Sequence, residues 1–217
     1  MATAKQAALG FRVHSGWTAM VAVMLEKGAP VVLERKRAHL VKTFTYTFRQ
    51  PYHTAEKMER TEAGKFISHV QKQARQLAYR AVHEVQSDLE SLKIKLTRGN
   101  LLLASGRPLP DLEKVLASHA LIHTADGEFF REAIIYGCEQ CGVKMERIKE
   151  RELLESAGQA LRLKPAELMR RVTDLGKPLG SPWSQDEKFA TLAAWLTLTS
   201  RNNDRNPTQG KRKAAKN

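Results

Sequence analysis

The sequence predicts an α/β fold built on a mixed sheet, with an antiparallel N-terminal meander followed by parallel αβ units. Three observations carry that expectation. Residues 8–37, ALGFRVHSGWTAMVAVMLEKGAPVVLERKR, read as three strands in succession. An apolar stripe at three- and four-residue steps then marks a long helix. Beyond it, short apolar strands alternate with helical segments, the order that produces parallel pairing.

Each element has its own signal. Residues 9–14 and 18–25 are rich in Val, Phe and Ala and are separated by the turn Ser15-Gly16-Trp17. Glu26-Lys27-Gly28 is a second tight turn, and 31–37 is a third strand. Residues 43–48, TFTYTF, alternate with period two and predict a fourth, edge strand that ends at Gln50-Pro51-Tyr52. A helix is expected over 54–92, where Ile67, Val70, Ala74, Leu77, Ala81, Val85, Leu89 and Leu92 form one stripe. Residues 100–105 read as a short buried strand and 110–120 as helical. Thr124 is placed to cap a helix that runs to Cys141, with Asp126 and Glu128 in its first turn, and Gly142 stops it. A strand over 143–148 follows, then short helices over 150–160 and 164–174 and a Gly/Pro turn over 177–182. Ser184-Gln185-Asp186-Glu187 is a capping box that opens a last helix to Leu198. Residues 1–200 form one expected domain, and the polar segment 201–217 is expected to be a disordered tail.

Composition narrows the function classes. The net charge of +13 on 217 residues attracts polyanions, so nucleic acid is the leading partner class. Part of it lies in the tail, where Arg201, Arg205, Lys211, Arg212, Lys213 and Lys216 face Asp204 alone. No apolar run approaches the roughly 20 residues that span a bilayer, so no membrane partner is expected. Two cysteines and no signal-peptide pattern point to a cytoplasmic protein.

Leu9-Gly10-Phe11-Arg12, followed by Gly16-Trp17 and the apolar 18–23, resembles the opening of the ribonuclease H-like superfamily, especially its RuvC-type resolvases. QDEKFATLAAWLTL, residues 185–198, resembles the late acidic helix of the same proteins. The resemblance covers roughly residues 8–199 and implies a ribonuclease H-like fold. In the nucleases, carboxylates from the first strand, a middle strand and the late helix hold divalent cations that activate water. Here the first-strand acid would fall at Arg12, and the middle one near Ala104 or Ser105. Only Asp186, with Glu187 beside it, keeps an acid. The resemblance therefore implies the scaffold without most of its catalytic acids, and no cofactor is expected.

Several residue groups offer binding chemistry. Arg12, His14, Ser15 and Gly16, at the end of the first strand, could hold a phosphate through a guanidinium, an imidazole, a hydroxyl and a Gly-containing turn. Thr124, Asp126 and Asp186 lie at expected helix starts that could assist. A solvent-facing strand anchored by Trp17 accounts for the first four equally well. His14 and Ser15 are adjacent on a strand and face apart, which argues against a nucleophile–base pair. His119 and His123, four apart, could bind a metal, but a helix break between 120 and 124 is expected to separate them. Cys138 and Cys141 have the CxxC spacing yet sit at a helix end with no second cysteine pair, which favours buried thiols.

Lys65, His69, Lys72, Gln76, Tyr79 and His83 form a second stripe opposite the apolar one, suited to a phosphate backbone or to solvent alone. Phe44, Tyr46 and Phe48 suit base stacking, or more simply packing of an edge strand. Arg35, Lys36, Arg37, His39 and Lys42 make the hairpin the most basic ordered surface. The expected function is a nucleic-acid-associated binding module acting through Arg35, Lys36, Arg37, Lys42, Arg49, Lys65, Lys72, Lys211, Arg212 and Lys213. The alternatives are an enzyme or sensor for a small phosphorylated ligand at the Arg12/His14/Ser15 edge, or a protein–protein adaptor. The sequence sets no oligomeric state.

Overall fold

The computed structural model describes residues 5–104 and 108–204, with side chains to residue 199 in the last helix. Five strands, Lys5–His14 (β1), Trp17–Glu26 (β2), Ala29–His39 (β3), Ile94–Leu103 (β4) and Lys144–Lys149 (β5), form one sheet in the order β3-β2-β1-β4-β5. β1 and β3 each run antiparallel to β2, whereas β4 runs parallel to both β1 and β5. This is the mixed sheet expected from the sequence, with strand bounds shifted by a few residues.

Side-chain alternation on β1 and β2 divides the core. Leu9, Phe11 and Val13 join Met20, Ala22 and Met24 beneath Arg60–Ser91 (α3) and His119–Gln140 (α5). On the other face Ala8, Val21 and Val23 pack on Ala190 and Ala194 of Gln185–Asp204 (α8). Helices Leu153–Leu161 (α6) and Pro165–Leu175 (α7) lean on the same helix through Leu153, Leu168, Val172 and Trp195. Each fully buried large side chain in these layers contributes roughly 1.5–3 kcal/mol of transfer free energy. Two glycines set the spacing. A Cβ on Gly10 would lie 1.7 Å from the Ala190 carbonyl oxygen, so α8 can cross β1 only there. A Cβ on Gly137 would meet the Ala78 backbone at 2.8 Å, where α3 and α5 touch.

Three expectations are corrected. Residues 43–48 form no strand: β3 ends at His39, and Tyr46–Arg49 (α1) and Pro51–Ala55 (α2) follow. The amides of Arg49 and Gln50 bond back to the carbonyls of Thr45 and Tyr46, so helical turns satisfy the backbone that no neighbouring strand receives. The long helix begins at Arg60, and Leu92 lies beyond its end with 63% of its surface exposed. Leu112–Leu116 (α4) is short, and α5 starts at His119, with Ser118 at the N-cap position. Thr124 is therefore no cap; inside the helix, its hydroxyl donates to the Ala120 carbonyl at 3.0 Å.

The capping box at Ser184 forms as expected: the Ser184 amide donates to Glu187 at 2.7 Å, and the Asp186 amide to the Ser184 hydroxyl at 3.1 Å. The last helix runs past Leu198 to Asp204. The expected tail from 205 on, including Lys211, Arg212 and Lys213, lies outside the described residues, as does Ser105. Among the described residues no helix is long and apolar enough to cross a membrane.

Candidate functional site

Period-two alternation puts Arg12 and His14 on the α8 face of β1, and the capping box holds the first turn of α8 above them. Asp186 projects from that turn. Its Oδ1 accepts from Arg12 Nη1 at 2.5 Å and from His14 Nε2 at 2.7 Å. Arg12 also grips Glu150, just past β5, in a fork: Nε donates at 3.0 Å and Nη2 at 2.7 Å. Phe189 lies under the guanidinium, 5.4 Å from its carbon.

The register extends this rim across the sheet. His14 faces Trp17 across the β1–β2 pair and stacks on it, ring centroids 4.4 Å apart. Arg37 of β3 lies over the same Trp17 at 3.5 Å. Glu150, Arg12, Asp186, His14, Trp17 and Arg37 thus form one continuous chain of contacts. Burial raises the Asp186 carboxyl, but the bonds from His14 and Arg12 outweigh it and leave the group below the ordinary carboxylate range. The bond to Glu150 pushes the Arg12 guanidinium upward despite partial burial, with Asp186 adding to it.

The neighbouring turn is covered. Gly16 has φ +84°, a conformation that favours glycine, and a Cβ there would meet Arg49 Cγ at 2.8 Å. Arg49 Nε donates to the Ser15 carbonyl at 3.2 Å, and Gln50 Nε2 to the Ser15 hydroxyl at 3.1 Å. The structure thus brings together Arg12, His14 and Asp186, with Asp186 engaged by both of the others. Thr124 and Asp126 do not join them. Asp126 is 3% exposed within α5 and accepts from the amides of Tyr52 and His53, at 2.8 and 3.3 Å, and from His53 Nδ1 at 2.5 Å. Burial raises its carboxyl above the ordinary value against these opposing bonds.

The expected basic surface divides into committed and free cations. Arg35 donates to the carbonyls of Leu179, Gly180, Ser181 and Pro182 and so ties β3 to the segment before α8. Lys36 pairs with Glu84 at 2.5 Å. Lys65 pairs with Glu62 at 3.2 Å on the exposed side of α3, and Arg37, Lys42 and Lys72 are exposed. Arg49 lies over Phe44 at 4.5 Å, and Phe44 and Tyr46 are 44% and 64% exposed. Phe48 packs near Phe66, ring centroids 6.3 Å apart, which sets this aromatic segment against the start of α3, next to Lys65. Lys65, His69, Lys72, Gln76, Tyr79 and His83 are all exposed, as the stripe predicts.

Two residues escaped the sequence reading. Glu150 sits in the charged run Lys149-Glu150-Arg151-Glu152, where no pattern distinguishes it from its neighbours. His53 follows Pro51-Tyr52, and its partner Asp126 is more than seventy positions away. Cys138 is buried, which pushes its thiol up, and Cys141 is half-buried.

No protein-family model and no curated protein sequence matches this chain. Solved structures do, RuvC among them. Thermus thermophilus RuvC in complex with a Holliday junction substrate has a TM-score of 0.52 at 9% identity, covering 91% of this chain and 95% of that one. Thermus thermophilus RuvC itself has a TM-score of 0.51 at 12% identity, covering 91% and 96%. At such identity the likeness establishes the fold: an α/β protein with ribonuclease H-like, RuvC-like topology.

Proposed function

We propose that this chain binds nucleic acid on a ribonuclease H-like scaffold and does not cleave it by a two-metal route. The observation that carries this reading is Arg12, whose guanidinium holds both rim carboxylates. Divalent cations of the magnesium class need free, hard oxygen ligands. Asp186 Oδ1 and both Glu150 oxygens instead accept hydrogen bonds from a fixed positive charge, which also opposes any cation placed beside it. The residues at the rim do not fit a metal pair.

Binding is supported by the net charge of +13, by the exposed cations and aromatics beside the rim, and by a structural neighbour described with a Holliday junction substrate. Arg37, Lys42, Arg49 and Lys72 supply phosphate contacts, joined by Lys65 where phosphate displaces its exposed partner Glu62, and Phe44 and Tyr46 offer faces on which unpaired bases stack. Arg35 and Lys36 contribute less, because their charges already serve internal partners. Lys211, Arg212 and Lys213 of the tail add sequence-independent attraction. The small-phosphate alternative loses ground because Arg12, His14 and Ser15 spend their donors and acceptors on protein groups.

The test is binding to single- and double-stranded DNA and RNA across a salt series, with and without residues 201–217, beside a cleavage assay in magnesium and manganese. Steeply salt-dependent binding that survives removal of the tail, without cleavage, is the expected result. Phe44→Ala and Tyr46→Ala should weaken single-strand binding by about 1–3 kcal/mol per base stacked. Metal-dependent cleavage that disappears in Asp186→Ala overturns the proposal, and so does an absence of nucleic-acid binding.

A further inference from the structure

We infer that His53, His119 and His123 form a binding site for a first-row divalent transition metal of the zinc class, separate from the rim. Because α5 begins at His119, His119 and His123 lie one turn apart on a continuous helix, and their Nε2 atoms are 3.1 Å apart. Two nitrogens of a tetrahedral zinc site, each about 2.0–2.1 Å from the metal, stand about 3.3 Å apart. This pair already has the spacing of one tetrahedron edge. Short helix α2 delivers the third imidazole: His53 lies edge-on to both rings, with centroids 4.4 Å from His123 and 5.4 Å from His119. The ligand atoms of all three lie within 4.8 Å of one another.

Asp126 gives the trio the character of a built site. Its buried carboxylate accepts from His53 Nδ1 at 2.5 Å, which leaves Nε2 as the ring nitrogen for a ligand. The amides of Tyr52 and His53 hold the same carboxylate in place. A carboxylate behind a ligating histidine is the usual means of fixing its tautomer and strengthening its basicity. Between His119 and His123 only one proton can bridge the two nitrogens; a metal engages both lone pairs. Three imidazoles and no thiolate suit zinc, copper, nickel or cobalt, whereas magnesium and calcium prefer oxygen. His119 and His123 are exposed, so the fourth position opens to water or to an oxygen of a bound ligand.

The test is titration of the untagged full chain with cobalt(II), read by its visible absorption, with zinc as competitor. One cobalt per chain, bound at micromolar or lower concentration and displaced by zinc, is expected. His119→Ala and His123→Ala, at exposed positions, should abolish the signal, while both cysteines remain as a control against thiolate binding. Asp126→Asn should weaken affinity by about 10- to 100-fold. Absorption that persists in the His119→Ala/His123→Ala double variant, or binding seen only at millimolar metal, overturns the assignment.

Discussion

Arg12 is the residue on which the chemistry of the rim turns. It holds Asp186 and Glu150 with three short bonds from one planar group, a geometry that lysine cannot reproduce. Arg12→Ala leaves two half-buried carboxylates facing each other and should cost about 1.5–3 kcal/mol in denaturant unfolding. The variant should then be stabilised by added magnesium in a thermal melt, whereas the parent should not. Asp186 titrates below the ordinary carboxylate value of about 3.9 when folded. Its ionised form is thus favoured by folding: the stabilisation is fully present above that ordinary value and fades as pH falls through the lower, folded one. Asp186→Asn should lower stability at neutral pH and flatten the acid limb of the stability–pH profile. An unchanged acid limb would mean that other carboxylates control it.

At the level of elements, the crossing of β1 by α8 sets the rim, because it brings Asp186 over Arg12. That crossing needs Gly10, whose missing side chain leaves room for the Ala190 backbone. Gly10→Ala should cost about 3 kcal/mol or more, since the obstacle is a helix backbone rather than a movable side chain. Chemical denaturation would read this directly, and a loss below 1 kcal/mol would show that α8 can slide. The segment 43–49 teaches a complementary lesson. Its strict alternation of aromatic and threonine carries strong strand propensity, yet it pairs with no strand, and helical turns satisfy its backbone instead. Similarly, Thr124 reads as a cap in isolation, although Ser118 occupies that position. The first expectation packed aromatics that stay exposed at Phe44 and Tyr46, and the second separated two histidines that the helix keeps together.

Across the whole molecule, charge and topology act together. Each exposed lysine that contacts phosphate contributes about 0.7–0.9 to the slope of log affinity against log salt. Lys42→Ala and Lys72→Ala should each flatten that slope by about this amount, while Lys36→Ala, already paired with Glu84, should change it less. The sequence by itself determined the sheet and its mixed pairing, because alternation, tight turns and helical stripes are local signals that the final fold obeys. It also grouped Arg12, His14, Ser15 and Gly16 with the helix starts at Thr124, Asp126 and Asp186, of which Asp186 alone reaches Arg12 and His14. Only the tertiary structure decided what those groups do to one another, that Glu150 completes the rim, and that His53 meets His119 and His123. Those outcomes depend on contacts between segments dozens to well over a hundred positions apart, and spacing along a chain carries no record of distance through space.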